Sequence, residues 1–228
     1  MDPHPDMALR PGLDWSRIQT VLLDMDGTLL DRHFDDTFFL EIIPKAYADL
    51  HRLKMAVARH RVLAAYKQVE GTLEWYDLAY WSRRLDLDFA KLQNEVSHLI
   101  RPHPYVMTFL EKITSMGLPV HLVTNAHPWS LQLKLSQTPI GSSLTGIWTS
   151  HNLGYPKEHA QFWPRLQEQL RFDPEKTLFA DDSEPILEGA AAFGVGQLVH
   201  MARPSSAVPP IYSHRFLSVV DFRQILPP

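Results

Sequence analysis

The chain has 228 residues, 45% of them apolar and 21% charged, and its 22 basic and 26 acidic side chains leave a net charge of −4. This composition is typical of a globular protein with one full domain and room for a small second module. The acidic balance argues against a nucleic-acid surface, and no apolar run is long enough to span a membrane. The absence of cysteine excludes disulfides, thiol catalysis and cysteine-ligated metals.

The first residues contain neither a basic segment nor an apolar one, so a secretory signal is not expected. A cytoplasmic location is expected instead. Residues 1–19 are interpreted as an N-terminal extension. After them, short apolar runs alternate with amphipathic segments. The runs predict strands at 20–24, 120–124, 146–150, 177–180 and 195–200. The amphipathic segments predict helices that include 128–137, 158–170 and 184–193, with Pro164 kinking the second unless that helix begins later.

This alternation predicts an α/β fold with a doubly wound parallel sheet. Residues 34–100 differ from the rest, since they hold one glycine and one proline and are rich in helix-forming residues. They predict about four helices, inserted just after the first strand. The core is therefore expected to consist of residues 20–33 and 101–228, with a helical cap at 34–100.

Polar side chains follow four of the predicted strands. They are Asp24 and Asp26, Thr124 and Asn125, Lys157, and Asp181 and Asp182. Because ligands of open parallel sheets bind beyond the carboxyl ends of the strands, these residues are expected to share one edge. Several carboxylates at one edge repel each other, and a hard cation bound by oxygen ligands, Mg²⁺, would offset that repulsion.

These residues suit transfer of a phosphoryl group to an aspartate and then to water. In chain order, Asp24-x-Asp26-Gly27-Thr28-Leu29, Thr124-Asn125, Lys157 and Asp181-Asp182 resemble the four motifs of the haloacid dehalogenase superfamily. Longer stretches around these motifs, together with Trp75-Tyr76 and Tyr80-Trp81-Ser82, look like the GMP/IMP nucleotidase branch of that superfamily.

The resemblance implies a role for each matching residue. Asp24 is the nucleophile and a metal ligand, and Asp26 is the general acid and base, with its backbone carbonyl on the metal. Thr124 and Asn125 bind the transferring phosphoryl group, and Lys157 steadies both the nucleophile and the phosphate. The helical insertion matches a cap that closes over the site and selects the substrate.

The fourth motif implies the remaining metal ligands. Asp182 aligns with the metal-binding aspartate, and Asp181 with a position that is often glycine or an acid. A further acid that many members carry falls near Ile186 in this sequence, and Glu184 is a possible substitute.

The expected activity is Mg²⁺-dependent hydrolysis of phosphomonoesters through an aspartyl phosphate, with purine nucleoside 5′-monophosphates such as GMP and IMP as substrates. A sugar-phosphate phosphatase or phosphomutase with the same core is the alternative within enzymes. A non-catalytic binding protein is the alternative outside them. The expected partner is a small phosphomonoester, with no nucleic-acid polymer and no membrane.

Other signals favour structural roles. The aromatic residues at 75, 76, 80 and 81 have helical spacing and are expected mainly to pack within the insertion, with one or two lining the cleft and stacking on a purine. Asp31, Asp35 and Asp36 are expected to form a solvated acidic loop. His127, which follows the second motif, is expected to be structural.

Overall fold

The computed structural model describes residues 12–228. Its sheet has six strands in the order β3-β2-β1-β4-β5-β6, and every neighbouring pair is parallel. The strands are β1 (Thr20–Leu23), β2 (Val120–Thr124), β3 (Gly146–Thr149), β4 (Thr177–Asp181), β5 (Gln197–Met201) and β6 (Leu217–Val219).

The register of the central strands brings their carboxyl ends level with each other. Leu23, the last residue of β1, pairs with Leu122 on one side and with Ala180 on the other. The backbone N–H of Asp24 continues this ladder and donates to the carbonyl of Ala180. The residues that follow β1, β2 and β4 therefore meet at one edge of the sheet, as the sequence predicts.

Helices cover both faces of the sheet. They are α7 (Val106–Ser115), α8 (Pro128–Gln137), α9 (Ser150–Leu153), α10 (Phe162–Leu170) and α11 (Glu184–Phe193). Val21 and Leu23 belong to the core cluster that contains Phe109 of α7, whereas Leu22 belongs to a second cluster with Trp163 of α10. Successive residues of β1 thus face opposite layers, which confirms the predicted doubly wound α/β fold.

The segment between β1 and α7 is helical. It contains α1 (His33–Thr37), a π-helical turn (Phe38–Ile42), α2 (Ile43–His51), α3 (Met55–Lys67), α4 (Leu73–Tyr76), α5 (Leu78–Leu85) and α6 (Phe89–Glu95). These are six α-helices, where about four were expected, because turns divide the segment into shorter pieces than its composition suggested. Its entry and exit run side by side, with a bridge between Leu30 and Pro102.

Three elements differ most from the sequence prediction. Helix α9 was not predicted, and its first residue, Ser150, was expected to end the preceding strand. Helix α10 begins at Phe162 rather than at residue 158, so Pro164 lies in the first turn, where the missing N–H leaves no helical bond unmade. Strand β6 was not predicted; it is only three residues long, too short for a clear apolar pattern.

The described part of the N-terminal extension packs on the core, where the Trp15 ring lies 6.1 Å from that of Phe109. Residues 1–11 of the extension lie outside the described residues. Within residues 12–228, none of the helices has the length and apolar character needed to cross a membrane.

Candidate active site

Asp24 and Asp181 are joined by the side chain of Lys157. The Lys157 Nζ lies 2.6 Å from Asp181 Oδ2 and also contacts Asp24 Oδ1. All three side chains are buried, and Lys157 is 2% exposed. Both carboxylates outweigh the effect of burial and raise the pKa of Lys157, so this lysine is a permanent positive charge between them.

The loop after β1 brings its backbone close to Asp182. Gly27 has a φ of 92° and donates its N–H to the carbonyl of Leu30 at 2.7 Å, which closes a tight turn. A Cβ at this position would lie 2.7 Å from Asp182 Oδ2. Glycine is therefore required twice here, by the left-handed backbone and by the approach of the two motifs.

Three carboxylates face each other at this edge. Asp24, Asp181 and Asp182 each offer an oxygen, and these oxygens all lie within 4.8 Å of one another. Arg32 adds a second positive charge, since its Nη1 is 2.6 Å from Asp182 Oδ2. When all three are ionised, the aspartates carry more negative charge than Lys157 and Arg32, which also pairs with Asp36, can offset, and this suits a hard cation with oxygen ligands.

The same crowding raises the pKa values of these acids. Burial raises the pKa of Asp24 to about 7, with Asp181 adding to the effect and Lys157 opposing it. Burial and the negative charge of Asp24 raise the pKa of Asp182 to about 7. A divalent cation at this cluster would favour the ionised carboxylates, and an ionised Asp24 is what nucleophilic attack requires.

Thr124 and Asn125 lie at the end of β2, next to this cluster. The Asn125 Oδ1 accepts the backbone N–H of Lys157 at 2.9 Å, and its Nδ2 donates to Glu158 Oε2 at 3.0 Å. The other Glu158 oxygen accepts from the hydroxyl of Tyr76 at 2.9 Å. Glu158 thus joins the helical segment to the second and third motifs. The sequence pattern did not assign Glu158 to the site, because residue 158 was expected to begin a helix.

Asp26 points toward α8. Its Oδ1 lies 2.7 Å from the Nζ of Lys134, and the same ammonium group bonds both carboxylate oxygens of Asp35, at 2.7 and 2.9 Å. Lys134 is 1% exposed. No motif in the sequence pointed to this lysine, which lies within the predicted helix at 128–137.

The expectation of a solvated acidic loop is wrong for two of its three members. Asp31 is buried and accepts the N–H groups of His33 and Ser206 at 3.0 and 2.9 Å. These bonds overcome the effect of burial and lower the pKa of Asp31. Asp35 is held by Lys134, and burial together with the charge of Asp26 raises the pKa of Asp35 to about 7.

A cavity of about 520 Å³ opens between the motif residues and the helical segment. Its lining includes all seven predicted site residues, Asp24, Asp26, Thr124, Asn125, Lys157, Asp181 and Asp182. Ile186 also lines it, so an apolar side chain stands where the resemblance implies a further acid. The cavity is thus charged at one end, and the insertion supplies much of its apolar wall.

The aromatic residues of the insertion divide between cavity and packing. Trp75, Tyr76 and Trp81 line the cavity, as does Tyr66 of α3, whereas Tyr80 is not among the described lining residues. Trp81 is also packed, since its Nε1 donates to the carbonyl of Trp75 at 3.0 Å. Trp75 is half-buried, packs edge-on against Tyr66 and lines the cavity, so it is a candidate stacking surface.

His127 has the structural role predicted for it and lines the cavity as well. Its Nδ1 accepts the backbone N–H of Trp129 at 3.2 Å, which caps the start of α8. Its Nε2 lies 3.4 Å from Asp77 Oδ1, on the insertion.

The chain resembles known proteins over most of its length. The sequence profile of haloacid dehalogenase-like hydrolases matches residues 18–194. The GMP/IMP nucleotidase YrfG of Escherichia coli is 36% identical over 213 residues, which cover 93% of this chain and 96% of that protein. Enolase-phosphatase E1 of Sorangium cellulosum is 28% identical over 83% of this chain and 90% of its own.

Solved structures show the same fold. The HAD phosphatase from Thermococcus onnurineus superposes with a TM-score of 0.75 at 20% identity and covers 89% of this chain and 93% of its own. At this identity the likeness concerns the fold alone.

Proposed function

This chain belongs to the haloacid dehalogenase-like hydrolase family, and from that premise we propose that it hydrolyses purine nucleoside 5′-monophosphates such as GMP and IMP. One observation carries the proposal. A buried Asp24–Lys157–Asp181 cluster forms the charged end of a cavity, and aromatic side chains of the insertion line the same cavity. The charged end suits a phosphate, and the aromatic wall suits a base.

In the first step, a carboxylate oxygen of Asp24 attacks phosphorus while the bond between phosphorus and the ribose oxygen breaks. Asp26 gives its proton to that leaving oxygen, so the nucleoside departs with a neutral hydroxyl. In the second step Asp26 takes a proton from water, and the resulting hydroxide attacks the phosphorus of the aspartyl phosphate. Inorganic phosphate leaves, and Asp24 and Asp26 return to their starting states.

Three residues hold the phosphoryl group during both steps. Lys157 contributes its fixed positive charge, and Thr124 and Asn125 bind the phosphoryl oxygens. The hydrogen bonds of Asn125 to Lys157 and Glu158 keep this motif rigid before substrate arrives. Such preorganised groups cost no rearrangement when charge develops on the oxygens.

The three facing carboxylates fit a magnesium ion. Asp24, Asp181 and Asp182, together with the backbone carbonyl of Asp26, would hold it. When bound, Mg²⁺ supplies positive charge that favours ionised Asp24 and offsets the charge of the phosphate. The oxygen-only donors support this assignment over a softer metal.

Substrate choice is assigned to the insertion, which we propose acts as a cap (34–100) over a core made of 20–33 and 101–228. The motif residues contact only the phosphoryl group, which every phosphomonoester shares. A purine stacked on Trp75 would gain roughly 1–3 kcal/mol. The similarity to the E. coli GMP/IMP nucleotidase supports purines over sugar phosphates, and the intact Asp24 and Asp26 support an enzyme over a binding protein. A cytoplasmic location stays a prediction.

The test is phosphate release from a panel of GMP, IMP, AMP, a pyrimidine monophosphate and two sugar phosphates, each with and without Mg²⁺. We expect the highest kcat/KM for GMP and IMP. A sugar phosphate that exceeds both would overturn the nucleotidase assignment in favour of the first alternative. Conversion of a sugar phosphate to its isomer, with no phosphate released, would indicate a mutase.

A further inference from the structure

Lys134 is buried, and side-chain packing alone does not explain why a charged residue lies there. Its ammonium lies 5.2 Å from the centre of the Phe34 ring and is enclosed by α8, α1 and the loop after β1. Burying an ammonium with its partners is often no more stabilising than an apolar side chain of similar size. A buried ammonium in contact with Asp26 is therefore a candidate for a role in the reaction.

Three carboxylate oxygens surround the Lys134 ammonium. Asp26 Oδ1 lies 2.7 Å from Nζ, and the two carboxylate oxygens of Asp35 lie 2.7 and 2.9 Å from it. An ammonium group has three protons to donate. The three acceptors therefore match the donors of Lys134 in this arrangement, which favours a role through Asp26 over direct contact with a phosphate.

Lys134 holds the Asp26 carboxylate. Among the described residues, Lys134 is the one side chain that hydrogen-bonds to this carboxylate, and the bond goes to Oδ1. The Asp26 side chain is 22% exposed at the edge of the cavity. With Oδ1 fixed, Oδ2 is the oxygen available to carry a proton to the leaving group.

We propose that Lys134 is a positioning residue that fixes Asp26 with Oδ2 free for proton transfer, and that Asp35 holds Lys134 in place from the insertion. This inference rests on the proposed function, because it assigns the effect of Lys134 to the step in which Asp26 protonates the leaving oxygen. The proton-transferring residue is thereby tied to the segment that covers the cavity.

The test compares Lys134→Met, Lys134→Arg and the surface control Lys45→Met, whose lysine pairs with Asp49 on α2. Single-turnover formation of the phosphoenzyme is measured with the best alkyl monophosphate of the panel and with p-nitrophenyl phosphate. The aryl ester needs little protonation of its leaving group. We expect Lys134→Met to slow the alkyl ester by about 10²-fold or more and the aryl ester far less. Lys134→Arg recovers part of the loss, and Lys45→Met matches the wild type.

A double-mutant cycle separates positioning from general damage. If Lys134 acts through Asp26, adding Lys134→Met to Asp26→Asn changes the alkyl rate little further. Equal losses on both esters, or full additivity in the cycle, would overturn the inference. If Lys134→Met fails to fold, Asp35→Asn takes its place, because it loosens the lysine without removing its charge, and the same substrate-selective loss is expected.

Failure of the proposed function is visible separately. The wild-type panel reports which alkyl ester is preferred, and a preference for a sugar phosphate would overturn the nucleotidase assignment. The comparison of leaving groups then uses that sugar phosphate and still decides the role of Lys134. A wild type without activity on any alkyl monophosphate would overturn both.

Discussion

Lys157 Nζ lies 2.6 Å from Asp181 Oδ2 while it also contacts Asp24, so one buried lysine serves the ends of two adjacent strands. Lys157 therefore pairs with two carboxylates. A substitution that removes the charge of Asp24 leaves the pair between Lys157 and Asp181. Asp24, the proposed nucleophile, can be replaced by an amide of the same shape without leaving Lys157 unpaired, because Asp181 remains.

We therefore expect Asp24→Asn to fold normally and to lose phosphate release by several orders of magnitude, as covalent hydrolases do without their nucleophile. An amide oxygen does not form the acyl phosphate. Phosphate release and a thermal melt check this, with Asp173→Asn on the surface as the matched control. Substantial activity in pure Asp24→Asn would place the nucleophile elsewhere.

Asp26→Asn is expected to lower kcat for nucleotides by about 10²–10⁴-fold, since proton transfer to the leaving oxygen is lost. An aryl phosphate should still phosphorylate Asp24 in this variant, because its leaving group departs without a proton. Rapid-quench measurement of the phosphoenzyme with both esters tests the difference. Equal impairment of the two substrates would count against the acid–base role.

Removal of divalent cations with EDTA is expected to abolish activity, and Mg²⁺ to restore it. We expect Ca²⁺ not to restore it, because Ca²⁺ takes more ligands at longer distances and would draw Asp24 out of line for attack. The measurement is phosphate release after each addition. Isothermal titration of the apoprotein with Mg²⁺, for the wild type and Asp182→Asn, checks the ligand set without relying on turnover. Full activity in excess chelator would exclude the metal from the mechanism.

Trp75→Ala is expected to raise KM for GMP and IMP by about 5- to 150-fold, the equivalent of 1–3 kcal/mol of stacking, and to change a small sugar phosphate little. Tyr80→Ala is the control, since Tyr80 packs against Trp81 with its ring 5.0 Å away and its hydroxyl accepts from Arg84. It should affect both substrate classes alike. The same loss on both classes from Trp75→Ala would make that ring structural as well.

Asp31→Asn is expected to destabilise the fold by about 1–3 kcal/mol, because the buried hydrogen bonds from His33 and Ser206 lose a charged acceptor. The pKa of Asp31 is lowered from 3.8 in the folded state, so its ionised form adds stability above that value and the contribution is lost as the pH falls below it. Urea unfolding at pH 7 and at a pH well below 3.8 should therefore show a difference from the wild type that shrinks at the lower pH. Asp49→Asn, at an exposed pair, is the control.

The sequence predicts the sheet and its edge well because both follow from local patterns. Helices α8 and α11 begin and end where proline, glycine and apolar spacing place them. Parallel strands bring residues far apart in sequence to one edge, so Asp24, Thr124 and Asp181 are found together from topology alone.

The rest of the site depends on contacts that no local pattern records. Lys134 is 108 residues from Asp26 and 99 from Asp35, and only the tertiary fold brings the three together. Glu158 was assigned to a helix, although the proline six residues later moves the helix start and frees its side chain for Asn125 and Tyr76. Long-range polar pairs of this kind are set by the tertiary fold and not by propensity.

Because the insertion enters and leaves the core at adjacent points, it can be exchanged for another helical segment. Leu30 and Pro102 are bridged, and the N–H of Asp31 donates to the carbonyl of Arg101 at 3.0 Å, so the two junctions are already adjacent without the helices between them. A foreign helical block can be grafted between these junctions without re-threading the sheet. The grafted block must, however, place a carboxylate where Asp35 lies. Without it, Asp26 is the one carboxylate left to the Lys134 ammonium. Chimeras that retain an acid at this point are therefore the ones expected to keep proton transfer.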